Sequence, residues 1–557
     1  MPDHDLDQIL GGHDAMKRNR IGDEPTWSAI TQLLYPDGTP PWGRHTPGEP
    51  TRGEIYDNTG EDAAESASAA FQALTTNPAT RWFEIGLFDE QVARDTTAGA
   101  YLWRMTSKMF RCFRHPTTLF NLAMDEDNQQ LMMLGNSCLH IEDKPGRLPL
   151  FRAIPMAKVW WEENADGVID HVDREFELTA TAALEKFGDS LPEQVWKMAE
   201  NTAQAYDLVK FLHVNKPRAN RDASKRDRGN MAYRSVYACL DFPQIVTDGG
   251  SHELEYVPSR WRRRAGERYG RGCGHKALSD IEILQRMNRT VLLAGERTVD
   301  PAILAPEDGI TGPISLKARA INTVRAEYLA NGAAPRAMVS NTRVDIGMEL
   351  IKDRRELVRR SFMKQLLEIV RDPKFTATHV LSIEDEQKRG LAPILGRQQG
   401  ERFGPIVGRV YNLMRRMPGV FEPAPPEIAG QPLQPNFDTP AAQAMRLGVA
   451  KSIAQSLESI APIIKAVGDE ALWDNFDIDE NLRAFAEGVG MPPMGQRSID
   501  VRDRMRQQRQ AVAAQRADLE NTKDATVALK NSAPMAQVLA GMLANQNQPA
   551  APAQAAA

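Results

Sequence analysis

Ile281-Glu282-Ile283-Leu284-Gln285-Arg286-Met287-Asn288-Arg289-Thr290-Val291 carries apolar residues at steps of three, three and four. That spacing puts Ile281, Leu284, Met287 and Val291 on one stripe of a helix that is expected to run to about Arg297, where Asp300-Pro301 ends it. A second long helix is expected from about Arg343 to Arg371, with Ile351, Val358, Phe362, Leu366 and Ile369 on its stripe. At 1.5 Å per residue it spans roughly 40 Å. The segment between them, Pro301 to Pro335, is short and punctuated by Pro and Gly, with strand-like fragments at Ile314 to Leu316 and Ile321 to Val324. Two long helices flanking a small module read as a stalk with a compact tip.

Upstream of this unit the texture is mixed. Residues 1 to 60 are rich in Pro, Gly and charge and read as an arm, with one amphipathic fragment from Trp27 to Leu34. Helical periodicity dominates from about 61 to 145. Strand-like runs follow at Phe151 to Met156, Val159 to Trp161 and Val168 to Leu178, with a turn at Asp166-Gly167, so a β-meander is expected. A helix over Thr179 to Phe187 and further strand-like pieces at Tyr233 to Leu240 and Leu254 to Val257 complete an α+β body.

Downstream, the stretch Thr378 to Arg416 reads as helical but broken by Gly390, Pro393, Gly396, Gly400, Gly404 and Pro405. Pro418 to Pro435 is a Pro-rich crossing, and Thr439-Pro440 has the form of an N-cap followed by Pro at the first helical position. A nearly all-helical region follows, ending in a charged helix around Ser498 to Leu529. The Ala/Pro/Gln/Asn composition from Asn531 is that of a disordered tail.

Composition bounds the function. A chain of 557 residues exceeds one core, and three or four domains or sub-domains are expected at about 100–200 residues each. The net charge of −6 gives no global signal for nucleic-acid binding, so any such contact has to be local. Cys112, Cys138, Cys239 and Cys273 lie far apart without a CxxC pair, which fits a reducing compartment and suggests neither a zinc motif nor a disulfide framework. The N-terminal residues lack a signal-peptide pattern and no stretch is apolar enough to span a bilayer, so a soluble protein without a membrane partner is expected.

No catalytic, cofactor or metal constellation emerges. Gly270-Arg271-Gly272-Cys273-Gly274-His275-Lys276 invites a phosphate-loop reading, but His275 separates Gly274 from Lys276 and Ala277 follows, where a P-loop needs Gly-Lys-Ser/Thr. The segment reads instead as a flexible lead into the first long helix. Cys273 beside His275 lacks an orienting third group for thiol chemistry. The histidines show no HExxH-type spacing, and acidic runs such as Asp125-Glu126-Asp127 read as solvated faces. The densest basic run, Arg260, Arg262, Arg263, Arg264, Arg268 and Arg271, has two readings: DNA contact, or salt bridges to a neighbouring subunit. Lys216, Arg218, Arg221, Lys225, Arg226 and Arg228 read as a mobile surface loop. On the second long helix Lys352, Arg355 and Arg359 share a face; they either line a lumen or pair with Glu349, Asp353 and Glu356.

Several blocks, in order, resemble the podovirus-type bacteriophage portal family, also called head-to-tail connecting proteins. They are Ile55-Tyr56-Asp57-Asn58-Thr59-Gly60, Trp82-Phe83, and Arg174-Glu175-Phe176-Glu177-Leu178-Thr179 followed by Phe187-Gly188. The most specific is Val257-Pro258-Ser259-Arg260-Trp261, then Tyr269-Gly270-Arg271-Gly272 and Ala277-Leu278-Ser279-Asp280-Ile281. Thr298-Val299-Asp300-Pro301, Gly312-Pro313, Phe375-Thr376-Ala377-Thr378, and Leu391 to Leu395 with Pro405 follow in the same order. Cys273 and His275 interrupt the usual run after Gly272, and His379 stands where the family pattern suggests an acid.

The resemblance implies a mostly helical α+β portal fold assembled as a ring, usually of twelve subunits, around a DNA channel. On that pattern residues 1–267 form the arm and wing, 268–299 the first stem helix, 300–342 the clip and 343–371 the second stem helix. Residues 372–378 form the tunnel loop, 379–437 the wing return, 438–530 the crown and 531–557 the tail. It implies a passive conduit without catalysis or cofactor, for packaging, retention and ejection of double-stranded DNA without sequence specificity. The implied partners are the terminase large subunit, major capsid and scaffolding proteins, and head-tail adaptor or tail tube proteins. Channel candidates are then Arg371, Lys374 and His379 with Lys352, Arg355 and Arg359, and clip candidates for terminase docking are Arg319, Arg325 and Arg336. Sparse cations suit a conduit, because each phosphate held tightly adds affinity that a sliding duplex feels as friction. The rival expectations are a tail or baseplate ring without a DNA role, and a nucleic-acid motor enzyme.

Overall fold

A computed structural model describes residues 2–36, 55–88, 96–299, 344–362, 391–467, 476–489 and 499–545, apart from single positions within these spans, together with 303–304, 327, 336–337, 491 and 495. The architecture is α+β. It divides into two units, one built from Met1–Gly86, Arg104–Pro423 and Leu433–Ser452, the other from Leu87–Trp103, Ala424–Pro432 and Ile453–Ala557. Among the described residues, the long helices share their apolar stripe with the core of the body.

In the first unit the two larger sheets are antiparallel. Strands β4 (Val159–Glu163), β5 (Ile169–Thr179), β6 (Leu208–Pro217), β7 (Tyr233–Cys239) and β8 (Gln244–Ser251) form a five-stranded meander in sequence order. Strand β2 (Asn136–Glu142) lies between β3 (Leu150–Ala153) and β9 (Tyr256–Arg260) in a smaller sheet. Helices α6 (Ala180–Phe187) and α7 (Glu193–Glu200) cover part of the large sheet, burying Ala183 and Val195 against Phe176 and Phe211. The first of them starts where Thr179 accepts a hydrogen bond from the Ala182 N–H at 3.2 Å.

Three regions differ from the sequence reading. The N-terminal arm is two helices, α1 (Pro2–Arg20) and α2 (Glu24–Leu34). Only the apolar fragment of α2 is legible as periodicity, because the buried face of α1 mixes Leu6, Ile9 and Met16 with His13 and Arg20, which dock through hydrogen bonds. The nominally helical stretch after α3 (Thr59–Thr75) holds strand β1 (Phe83–Leu87) before α4 (Thr96–Arg114), and α5 (Phe120–Leu134) runs straight into β2. Buried at six consecutive positions, β2 shows no alternation for a period-two reading to detect. Helix α14 (Ile499–Asn545) continues past Asn531, where composition suggests a disordered tail. Ala, Leu and Met recur between 531 and 545 and favour helix there, against Pro534 and Gly541.

The first long helix is α8, Cys273–Val299, and the described part of the second is α9, Val344–Ser361. They pair as a hairpin: Arg354 Nη1 lies 2.6 Å from Asp280 Oδ1, and a methyl group on Gly347 would meet Val291 Cγ2 at 3.0 Å. Ile281 and Leu284 bury against the same cluster as Ile351, Val358 and Phe362, as their spacing predicts, with Met287 and Val291 partly buried beside them. Leu366 and Ile369 lie outside the described residues. Between the helices in sequence, β10 (Ile303–Leu304) pairs antiparallel with β11 (Arg336–Ala337).

The helix 391–398 passes without a break into one π turn, Gln399–Phe403, and then α11, Gly404–Arg416. Within 391–416 this single π turn is the one irregularity in the helix where the glycines and prolines suggest several; residues 378–390 of that stretch lie outside the described residues. Strand β12 (Leu433–Phe437) pairs with β1, and α12 runs from Pro440 to Val467 with Pro462 in its interior. In the second unit, α13 (Ile478–Gly488) and α14 are joined where Asp479 takes Arg502 at 3.0 Å and Arg506 at 2.6 Å.

Candidate functional site: the junction between body and long helices

The segment Tyr56-Asp57 is clamped from both long helices. Gln285 of α8 accepts from the backbone N–H of Tyr56 at 2.7 Å and of Asp57 at 3.0 Å, and donates back to the Asp57 carbonyl at 2.7 Å. Asp57 Oδ2 accepts from Asn288 of α8 at 3.0 Å and from Arg355 Nε and Nη2 of α9 at 2.9 and 2.8 Å. Its other oxygen accepts from the Thr59 N–H at 2.9 Å. Burial pushes this carboxyl up, but the hydrogen bonds from Thr59 and Arg355 outweigh burial and hold it below the usual carboxylate range. A buried, ionised Asp57 therefore fixes the angle between α3 and the helical hairpin.

Glycines make the second joint. Gly270 exchanges two hydrogen bonds with the Asn136 side chain, N–H to Oδ1 at 2.7 Å and Nδ2 to carbonyl at 2.9 Å. A Cβ on Gly272 would sit 2.5 Å from Gly135 N, and one on Gly274 would sit 2.4 Å from the Met133 carbonyl. The segment is thus wedged against the C-terminus of α5, where Gly135 adopts φ +73°. The flexible lead expected here is a tight backbone joint, and its glycines serve close approach rather than mobility. Cys273 is buried and its thiol is pushed up to about 12 by burial, so it holds no thiolate for chemistry. His275 is driven down to about 4 by burial.

Within the chain, four of the six arginines of the basic run, Arg260, Arg263, Arg268 and Arg271, have acidic partners, while Arg262 and Arg264 are exposed. Arg260 is buried between Glu163 of β4 and Glu401, whose Oε1 is 2.8 Å away. Arg263 takes the second oxygen of Glu163 at 2.8 Å, Arg268 takes Glu162 at 3.0 Å, and Arg271 takes Glu267 at 2.7 Å. The signal that sequence omits is the acidic partners, supplied by β4 and the π turn. That turn also points Arg402 inward, where it pairs with Asp127 at 2.5 Å, both fully buried. Asp127 is therefore no part of a solvated acidic face. In the 216–228 group, Arg218 donates to the Gly249 carbonyl at 2.9 Å.

Of the channel candidates, Arg355 faces Asp57, whereas Lys352 and Arg359 are exposed with no ion pair among the described residues. Arg354 and Arg360 hold Asp280 and Glu356. The expected pairing of Arg355 with Glu349, Asp353 or Glu356 gives way to Asp57. Arg371, Lys374, His379, Arg319 and Arg325 lie outside the described residues; Arg336 falls in β11. Among the described residues one group of possible metal ligands converges, His140, His213 and Glu255. No described helix is long and apolar enough to cross a membrane.

A hairpin of two long helices is thus anchored to the body by Asp57 and a glycine joint. The family model for bacteriophage head to tail connecting proteins matches residues 6–494, and the chain belongs to that family. It is 25% identical over 484 residues to the probable portal protein of Bordetella phage BPP-1, covering 84% of each chain. It is 23% identical over 506 residues to the portal protein of Salmonella phage epsilon15, covering 88% of this chain and 89% of that one. The family's members are structural proteins at the junction of phage head and tail.

Proposed function

We propose that copies of this chain form the portal ring at one capsid vertex, usually twelve around an axial channel, through which double-stranded DNA is packaged, retained and ejected. The observation that carries this reading is the outer surface of the helical hairpin. Leu292, Leu293, Ile346, Met348, Leu350 and Leu357 are all exposed in the single chain, on both helices. Apolar surface on a helical stalk calls for a partner, and identical hairpins set side by side supply one. Lys352 and Arg359, exposed between these apolar positions, then repeat around the ring as belts of positive charge. Such belts brush phosphates without reading sequence.

On this reading Arg371, Lys374 and His379 approach the duplex from a tunnel loop at 372–378. The clip, with Arg319, Arg325 and Arg336, receives the terminase large subunit, which brings the ATP hydrolysis. Capsid and scaffolding proteins bind outside the ring, and head-tail adaptor or tail tube proteins bind after packaging; the protein itself catalyses nothing. Supplying a portal-deficient phage with Arg319→Ser/Arg325→Ser/Arg336→Ser protein tests the assignment. Assembled capsids without genome are expected, and capsids that fill normally would contradict it.

A further inference from the structure

Three widely spaced positions meet where the three-stranded and five-stranded sheets approach each other: His140 of β2, His213 of β6, and Glu255 just before β9. Their ligating atoms all lie within 4.8 Å of one another. Glu255 Oε2 is 3.8 Å from His140 Nε2 and 4.0 Å from His213 Nε2, too long for hydrogen bonds. His140 is almost wholly buried, yet neither of its ring nitrogens has a hydrogen-bond partner. An imidazole with both nitrogens unmet is an unusual thing to bury, and it is aimed at a carboxylate. Ligation of an ion removes the cost at Nε2, the nitrogen nearer Glu255, and leaves only Nδ1 unmet.

The surroundings suit that role. Tyr256 lies 2.5 Å from His213 Nδ1, so that nitrogen can donate to the phenol oxygen and leave Nε2, now 2.8 Å from the Ser235 hydroxyl, to turn to a metal. Stacking of His213 on Tyr237 and of His140 on Tyr256 fixes both ring planes. Donors on a tetrahedral zinc ion lie about 3.3 Å apart, so closing this set onto one requires shifts of roughly half an ångström. We propose that His140, His213 and Glu255 bind one divalent ion of the zinc class, with the Ser235 hydroxyl or a water in fourth place. Two imidazoles and a carboxylate favour that class over calcium or magnesium. The ion ties β2 of the small sheet to β6 of the large one and serves stability, not catalysis.

The test uses untagged full-length protein stripped with a chelator, equilibrated with excess zinc and freed of unbound metal. Mass spectrometry of the metal content is expected to give one zinc per chain, and loading is expected to raise the melting temperature by several degrees. His140→Gln and Glu255→Gln are expected to lose both effects. Should either variant fail to fold, cobalt substitution of the wild-type chain decides: visible d–d bands of tetrahedral intensity support the site, and their absence overturns it. Zinc retained equally by folded variants, or none retained by the wild type, overturns it as well. Neither result depends on ring formation or DNA packaging.

Discussion

Adding one methyl group at Gly272 is expected to loosen the joint between the body and the long helices, whereas the same addition at Gly295, further along α8, is expected to tighten the helix. At Gly272 the new Cβ would lie 2.5 Å from Gly135 N, 2.6 Å from the Met132 carbonyl and 2.9 Å from the Met133 carbonyl. All three are backbone atoms, so no side chain can swing away. Restoring ordinary contact separates the two segments by nearly an ångström. That strains the Asn136–Gly270 pair of hydrogen bonds and the bond from Trp261 N–H to the Gly135 carbonyl at 2.9 Å. Overpacking of this kind costs about 1–3 kcal/mol and one weakened buried hydrogen bond about 1 more, giving about 3 kcal/mol for Gly272→Ala. At Gly295 nothing lies within 4 Å of the added Cβ, and Gly→Ala inside a helix stabilises by about 0.5–1 kcal/mol. Thermal unfolding of the two variants beside the wild type, with hydrogen exchange read over residues 268–280, checks both signs. If Gly272→Ala melts with the wild type and exchanges no faster there, the tight joint is not what these glycines are for.

Arg355→Ala removes the α9 half of the Asp57 clamp. After discounting for the partial exposure of Arg355 it should cost about 1–2 kcal/mol and speed hydrogen exchange over residues 55–60, while Arg359→Ala leaves both unchanged. Arg402→Met leaves a fully buried Asp127 carboxylate with Ser137 at 3.0 Å and should cost about 3–5 kcal/mol; Asp127→Leu/Arg402→Met should recover most of that in urea midpoints. Docking of α1 should weaken as pH rises. Burial lowers the pKa of His13, but hydrogen bonds to Asp173 at 3.0 Å and Glu175 at 2.9 Å outweigh it and raise the pKa above 6.5. The contribution is complete below pH 6.5 and is lost as pH rises through the folded value, so exchange in residues 2–20, corrected for intrinsic rate, should accelerate at alkaline pH. His13→Gln should abolish that dependence.

The sequence disclosed what local periodicity can carry. Ile281, Leu284, Ile351 and Val358 lie on stripes because one face of each long helix meets the core, and the helix expected over Thr179 to Phe187 is α6. What stayed hidden depends on partners far along the chain. Helix α1 buries Leu6, Ile9 and Met16 at helical spacing, but His13 and Arg20 share that stripe and break its apolar pattern. Arg260 looks free for DNA until Glu163 and Glu401 are brought to it. Gly272 reads as freedom in sequence and as close approach in space, since the same residue type serves both needs. His140, His213 and Glu255 carry no spacing motif because three separate segments deliver them.

Electron microscopy of the purified full-length protein tests the central claim most directly. Closed rings of identical subunits, each contributing one helical hairpin to the wall of an axial opening wide enough for a DNA duplex, are the expected images. A chain that remains a compact monomer at every concentration, or that closes without an axial opening, would contradict the account.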